Sequence, residues 1–205
     1  MTGGSDQNRI SWVLEGSLLQ AQASNDWLEH RILPLSVDQL RWKPRSGCWS
    51  IAACLDHLNR TLSYYLPRIQ DALDGNLPMK SGERGLRSTD SEEMFLRQME
   101  PPVAAPMNAP SVIVPGSAVD PDEVVDQFPH LRTRFAATIR SITDVDSSVS
   151  IPGSIHPPVD SLGGVIALLA AHERRHLWQV QRILSAPGFP DYRVAKLVPG
   201  DGNGS

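Results

Sequence analysis

The sequence predicts an all-α protein, a four-helix bundle with a long proline-rich connection between its second and third long helices. Four segments carry apolar residues at steps of three and four, the spacing that lines one face of a 3.6-residue helix. No segment alternates convincingly enough for a strand, and no internal repeat points to a solenoid. With 205 residues, 40% of them hydrophobic and 20% charged, the chain suffices for one packed domain of roughly 150 to 200 residues. The expected organisation is a single domain over residues 1–190, with 76–119 an irregular insertion packed on it and 191–205 a flexible tail.

Helix one is expected from Arg9 to Leu33, where Ile10, Val13, Leu14, Leu18, Ala21, Leu28 and Ile32 recur at mostly helical steps until Pro34 interrupts. In the connector that follows, Ser36 can cap a single short turn. Trp42 and Trp49 flank this connector and are expected to plug the end of the core. Ser50 caps helix two, whose inward stripe is Ile51, Leu55, Leu58, Leu62, Tyr65, Leu66, Ile69 and Leu73, with Gly75 as its stop. Pro67 removes one backbone donor inside this pattern and predicts a kink or split near Tyr64.

Residues 76–119 hold six prolines and one short helical pattern, SEEMFLRQME. Met94, Phe95, Leu96, Met107, Val112, Ile113 and Val114 are too apolar for a solvated linker, so the segment is expected to lie across the helices and roof something. Helix three has a clear entry signal, a capping Asp120, Pro121 at the first position and Glu123 at the third. Val124, Phe128, Leu131, Phe135 and Ile139 continue its stripe to about Ile142, with a bend expected at Pro129. Helix four, Val165 to Ile183, places Val165, Leu169, His172, His176, Val180 and Ile183 on one face.

Composition excludes several functions. A formal net charge of -4, a pI near 5.8 and no basic run argue against a nucleic-acid surface, which needs clustered Lys and Arg. Nothing approaches the 18 or so consecutive apolar residues of a membrane span. The polar start MTGGSDQNR leads into an amphipathic segment rather than a signal peptide. Cys48 and Cys54, six apart, form neither a disulfide framework nor a metal knuckle. The expectation is a soluble cytoplasmic protein with a small-molecule substrate, no nucleic-acid or membrane partner, and exposed faces of helices one and three that can support a homodimer.

Six histidines remain to be placed. His30, His130 and His156 have no partner at ligand spacing and read as surface or turn residues. His172 and His176 share an inward face at i and i+4, and His57 flanks the stripe of helix two beside Cys54, Thr61 and Tyr64. Bundles bring side chains of facing helices together in the core, where such folds hold metals. Three neutral imidazoles with open positions suit Zn²⁺ or Ni²⁺. Alternatively, the pair only hydrogen-bonds backbone or a carboxylate. Residues 172–176 also spell H-E-x-x-H, in which Glu173 would be the general base of a metalloprotease. No downstream third ligand or substrate-holding strand accompanies that motif, so Glu173 is a weak catalytic candidate, equally able to pair with an arginine or orient an imidazole.

The runs RWKPRSGCWSIAACLDHL and GGVIALLAAHERRHLWQVQRIL resemble the two signature stretches of DinB-like proteins, a W-x-P … W-S … H-L segment and a closing H-x-x-x-H-x-x-Q helix. The resemblance spans helix one to helix four. It implies a four-helix bundle that holds a divalent metal through His57, His172 and His176, makes Trp49 and Ser50 the hinge and cap of helix two, and places Gln179 in the closing motif. The chain departs from the simplest such proteins in its long segment 76–119. The wider superfamily includes transferases and isomerases that use low-molecular-weight thiols, so the resemblance implies a site and a fold rather than one reaction. Three functions follow in order of preference: a metal-dependent transferase or hydrolase acting through a thiol or water, a helical interaction module with a structural or vestigial metal site, and an H-E-x-x-H hydrolase.

Overall fold

The computed structural model describes residues 3–75, 90–142 and 149–190, with side chains from residue 14 onward. The expected tail 191–205 and the first part of the proline-rich segment, 76–89, lie outside the described residues. Among the described residues six α-helices follow in order: α1 Gly3–Arg31, α2 Val37–Arg41, α3 Ile51–Leu73, α4 Asp90–Met99, α5 Pro121–Arg140 and α6 Leu162–Leu184. The four long ones correspond to the four predicted patterns. No strand forms among the described residues beyond one isolated bridge, Ser150 to Ser161.

Local chemistry sets the helix ends. α1 stops at Arg31 because Pro34 pushes the residue before it out of helical geometry. Ser36 and Gln39 close a reciprocal capping box on α2. Ser50 accepts from Ala53 N–H to start α3, and Gly75 ends it at φ 72°. Asp120 and Pro121 open α5 as expected, and Ser161 caps α6 through Gly164 N–H at 3.0 Å. Pro67 neither splits nor ends α3, and Pro129 leaves α5 continuous. At Pro67 the orphaned carbonyl is that of Ser63, which is exposed and can turn to water.

Both α1 and α3 lie against α5 and α6, so α1 faces α3 across one diagonal and α5 faces α6 across the other. Two apolar clusters give the directions. One joins Leu14 and Leu18 of α1 to the C-terminal halves of α3 and α5 and the N-terminal half of α6. The other joins Leu28 and Ile32 to the opposite halves. Helices α1 and α6 therefore run one way, and α3 and α5 the other. Parallel neighbours cannot be joined by a tight turn: leaving α3, the chain must return along roughly 30 Å of bundle before α5 can begin. Among the described residues, 90–119 make that return. Helix α4 packs on α6, where a Cβ on Gly164 would collide with the Glu92 carboxylate, and residues 100–119 then form a strap that reaches α3 through a 3-10 turn, Ser111–Ile113.

Between the two clusters the core turns polar. His57, Asn59, Thr61, Arg132, His172, Glu173 and His176 are all buried there. Burying so many polar groups is costly unless each finds a partner, and their partners define the site.

Candidate metal centre

His57 projects from the first third of α3, and His172 and His176 from the middle of the antiparallel α6. The strap covers this side of α3, so the flank on which periodicity places His57 becomes a buried wall, with His57 only 2% exposed. The three rings converge on their Nε2 atoms. His172 Nε2 lies 2.9 Å from His57 Nε2 and 3.1 Å from His176 Nε2. One ligand atom from each of the three residues lies within 4.8 Å of the others, the one group of this kind found among the described residues.

Outer contacts fix the tautomers. His57 Nδ1–H donates to the Ile113 carbonyl of the strap at 2.6 Å, and His176 Nδ1–H donates to Gln179 Oε1 at 3.0 Å. Both Nε2 atoms then present lone pairs inward. A proton on His172 Nε2 could satisfy one of them but not both. A cation resolves this conflict, since nitrogens at about 2.0–2.1 Å from a tetrahedral ion sit about 3.3 Å apart. The donor set therefore fits a divalent metal.

Electrostatics keeps the rings in the ligating form. Burial depresses all three imidazoles, His172 and His176 well below the usual 6.5, and at those two repulsion from neighbouring imidazoles adds to it. The strap carbonyl and Asp56 partly offset the shift at His57, as Gln179 does at His176.

His156 corrects the reading of it as a surface or turn residue. It is buried, its Nδ1 lies 3.0 Å from the Tyr65 hydroxyl, and its ring centroid is 5.9 Å from that of His172. Its solitary place in a proline-flanked loop hides this. The available signal was Tyr65, whose hydroxyl on an apolar stripe needs a buried partner. Burial, then His57, pushes His156 down to about 4.

The sign of the resulting pH dependence follows. Above 6.5 these histidines are neutral in folded and unfolded chains alike. Below it the unfolded chain binds protons that the folded one refuses, so stability is lost as pH falls from about 6.5 through about 4. Metal-free protein melted at pH 7.5, 6.0, 5.0 and 4.5 is expected to show a progressive fall in Tm. An unchanged Tm across that range would contradict the buried neutral histidines.

Glu173 lies apart from the three converging histidine nitrogens. Its carboxylate pairs with the Arg132 guanidinium in the core, and it does not line the cavity beside the histidines. That pairing is the arginine alternative that the sequence left open for it. Trp49, rather than only plugging the core end, stacks on His176 at 5.7 Å and leans on His57 at 4.8 Å. Trp42 meets Phe189 edge-on at the end of the bundle. Arg175, at i+3 from His172 and so on its face, was not singled out by sequence reasoning. It donates to the carbonyls of Gln98 and Ala105. Asp56 accepts from Gly116 N–H at 2.8 Å, so both ends of the strap are tied down.

The strap, α3 and α6 enclose a cavity of about 640 Å³, open to solvent on one side, with His57, His156, His172 and His176 in its wall. His30 and His130 are exposed and elsewhere. No helix among the described residues is long and apolar enough to cross a membrane.

No curated protein matches the chain. Among solved structures it is similar to YfiT from Bacillus subtilis, described as a probable metal-dependent hydrolase with an unusual four-helix bundle topology. Identity is 16% over 90% of this chain and 89% of that one, with a TM-score of 0.49. So distant a likeness transfers neither residue nor activity. The profile of the DinB superfamily matches residues 20–180, which include α3, the strap, α5 and the three converging histidines. The chain belongs to the DinB superfamily.

Proposed function

We propose that the protein is a divalent-metal-dependent transferase or hydrolase, with His57, His172 and His176 as the metal ligands and Zn²⁺ or Ni²⁺ as the ion. One observation carries this reading: three inward imidazole nitrogens meet in the wall of a cavity that opens to solvent, with no fourth protein ligand grouped with them among the described residues. A structural zinc site is closed by four protein ligands, whereas a catalytic one keeps a position open. When bound there, a divalent cation supplies Lewis-acid chemistry, lowering the pKa of a water or a low-molecular-weight thiol.

The chain's own residues do the rest. The Ile113 carbonyl and Gln179 hold two rings in the ligating tautomer, and Trp49 shields one side of the site. Partners of this kind typically contribute 10–100-fold to metal affinity. Gln179→Leu is therefore expected to weaken zinc binding by about 10–100-fold in a chelator competition titration. An unchanged affinity would show that the amide does not orient His176.

Protein stripped and reloaded with Zn²⁺ or Ni²⁺ should be screened against ester, amide and thiol-transfer substrates, with and without added low-molecular-weight thiol. Turnover confined to loaded protein and abolished by chelation is the expected result. Tightly held metal with no turnover, together with a large loss of Tm on chelation, would favour the structural-site reading instead.

A further inference from the structure

Beyond its histidines, the cavity is charged in one sense. Among the described residues its lining includes Arg45, Arg175 and Arg182 but no Asp or Glu, in a chain of net charge -4. Arg175 is the most informative of them. It is 8% exposed, and its guanidinium donates from Nη1 to the Gln98 carbonyl at 3.0 Å and from Nη2 to the Ala105 carbonyl at 3.1 Å. Both partners are neutral. The nearby arginines differ: Arg174 pairs with Glu100 and Arg132 with Glu173. Among the described residues Arg175 has no carboxylate partner. A buried charge without a counter-ion is costly, so such charges are normally paired. The cavity that Arg175 lines offers a place for a compensating anion.

The mouth repeats the pattern. Arg45 Nε donates to Cys48 Sγ at 3.3 Å, and the Arg182 guanidinium lies over the Trp178 ring at 4.8 Å. Neither has a carboxylate partner among the described residues, and both keep N–H groups for an incoming acceptor. Because the three imidazoles are neutral, a divalent cation would add two further positive charges to the same enclosure. Low-dielectric walls concentrate such a field on small anions. Much of the remaining wall is apolar, from Trp49, Met99, Val103 and Met107, with Asn108 and Gln179 the polar amides among it, and the volume of about 640 Å³ suits a small molecule.

We propose that the cavity binds a small organic anion, its carboxylate or phosphate oxygens meeting Arg175 with Arg45 and Arg182 at the mouth, and its apolar body lying against Trp49 and the strap. This names the substrate class of the site proposed above and rests on that reading for where the reacting atoms lie.

Binding can be read from tryptophan fluorescence, since Trp49 and Trp178 line the cavity, with calorimetry as the second method. The probes are 3-phenylpropionate, its neutral amide and phenyl phosphate, each titrated into zinc-loaded and chelator-stripped full-length protein. The stripped protein separates binding to arginine from binding to metal. An anion is expected to bind at least about tenfold more tightly than the amide in both preparations. Tighter binding of phenyl phosphate than of the carboxylate would support the proposal and assign the head group.

Arg175→Gln should reduce the preference to within about twofold. Because Arg175 also ties down the strap, the exposed pair Arg45→Gln/Arg182→Gln is the second variant, expected to lose part of the preference and of its salt dependence. Equal binding of anion and amide, no binding of any probe to zinc-loaded protein, or a preference that survives every arginine variant would overturn the proposal. A preference that follows the arginines in a protein unable to hold metal would support it while defeating the metal reading, so the two fail separately.

Discussion

Glu173→Ala is expected to destabilise the fold by about 3–5 kcal/mol, because it leaves the Arg132 charge buried with no counter-ion. Arg132 is 1% exposed. Its Nη1 pairs with Glu173, its Nε donates to Asn25 Oδ1 at 3.1 Å and its Nη2 to the Ala21 carbonyl at 2.7 Å. One guanidinium thus ties α5 to α6 across a diagonal of the bundle and to α1 beside it. Against a total stability of about 5–15 kcal/mol, such a loss is about a fifth or more. Urea denaturation measures it. Glu173→Gln, which keeps the shape and removes the charge, should also be destabilising yet retain the metal in the folded protein. A variant of full stability that has lost turnover would instead return Glu173 to the chemistry and restore the H-E-x-x-H interpretation.

His172→Ala is expected to abolish useful metal binding. His172 Nε2 is the hub from which the other two nitrogens lie 2.9 and 3.1 Å away, so its loss should exceed the 10–100-fold effect of an outer partner such as Gln179. Stability gives a second readout. A metal held by the folded chain alone raises stability by about 2.7 kcal/mol at a hundred times its dissociation constant. Added zinc should therefore raise the Tm of the parent protein and leave that of His172→Ala unmoved. An equal rise in both would place the metal elsewhere.

The four long helices were legible because helical periodicity is local: the stripes of α3 and α5 announce themselves within 20 residues or so, as do the caps Ser50 and Asp120. The i, i+4 pair His172 and His176 was legible for the same reason. What periodicity cannot carry is which helices are neighbours and what crosses them. His156 and the Arg132–Glu173 pair depend on contacts between residues tens of positions apart, one in a loop without period and the other across a bundle diagonal. Pro67 and Pro129 each remove a donor yet leave α3 and α5 continuous, and the carbonyl freed by Pro67, that of Ser63, is exposed to water. The strap illustrates both limits. Of the apolar residues that predicted a roof, Ile113 is buried while Met107, Val112 and Val114 stay exposed, and the parallel course of α3 and α5 explains why the chain between them must return along the bundle, over the groove where the histidines meet.

X-ray absorption spectroscopy of the zinc-loaded protein tests the metal centre most directly. Three imidazole nitrogens at about 2.0–2.1 Å, with one or two further ligands that exchange on addition of a small thiol, are the expected result. A fourth fixed protein ligand that no thiol displaces, or the same spectrum after His57, His172 and His176 are all replaced by Ala, would contradict it.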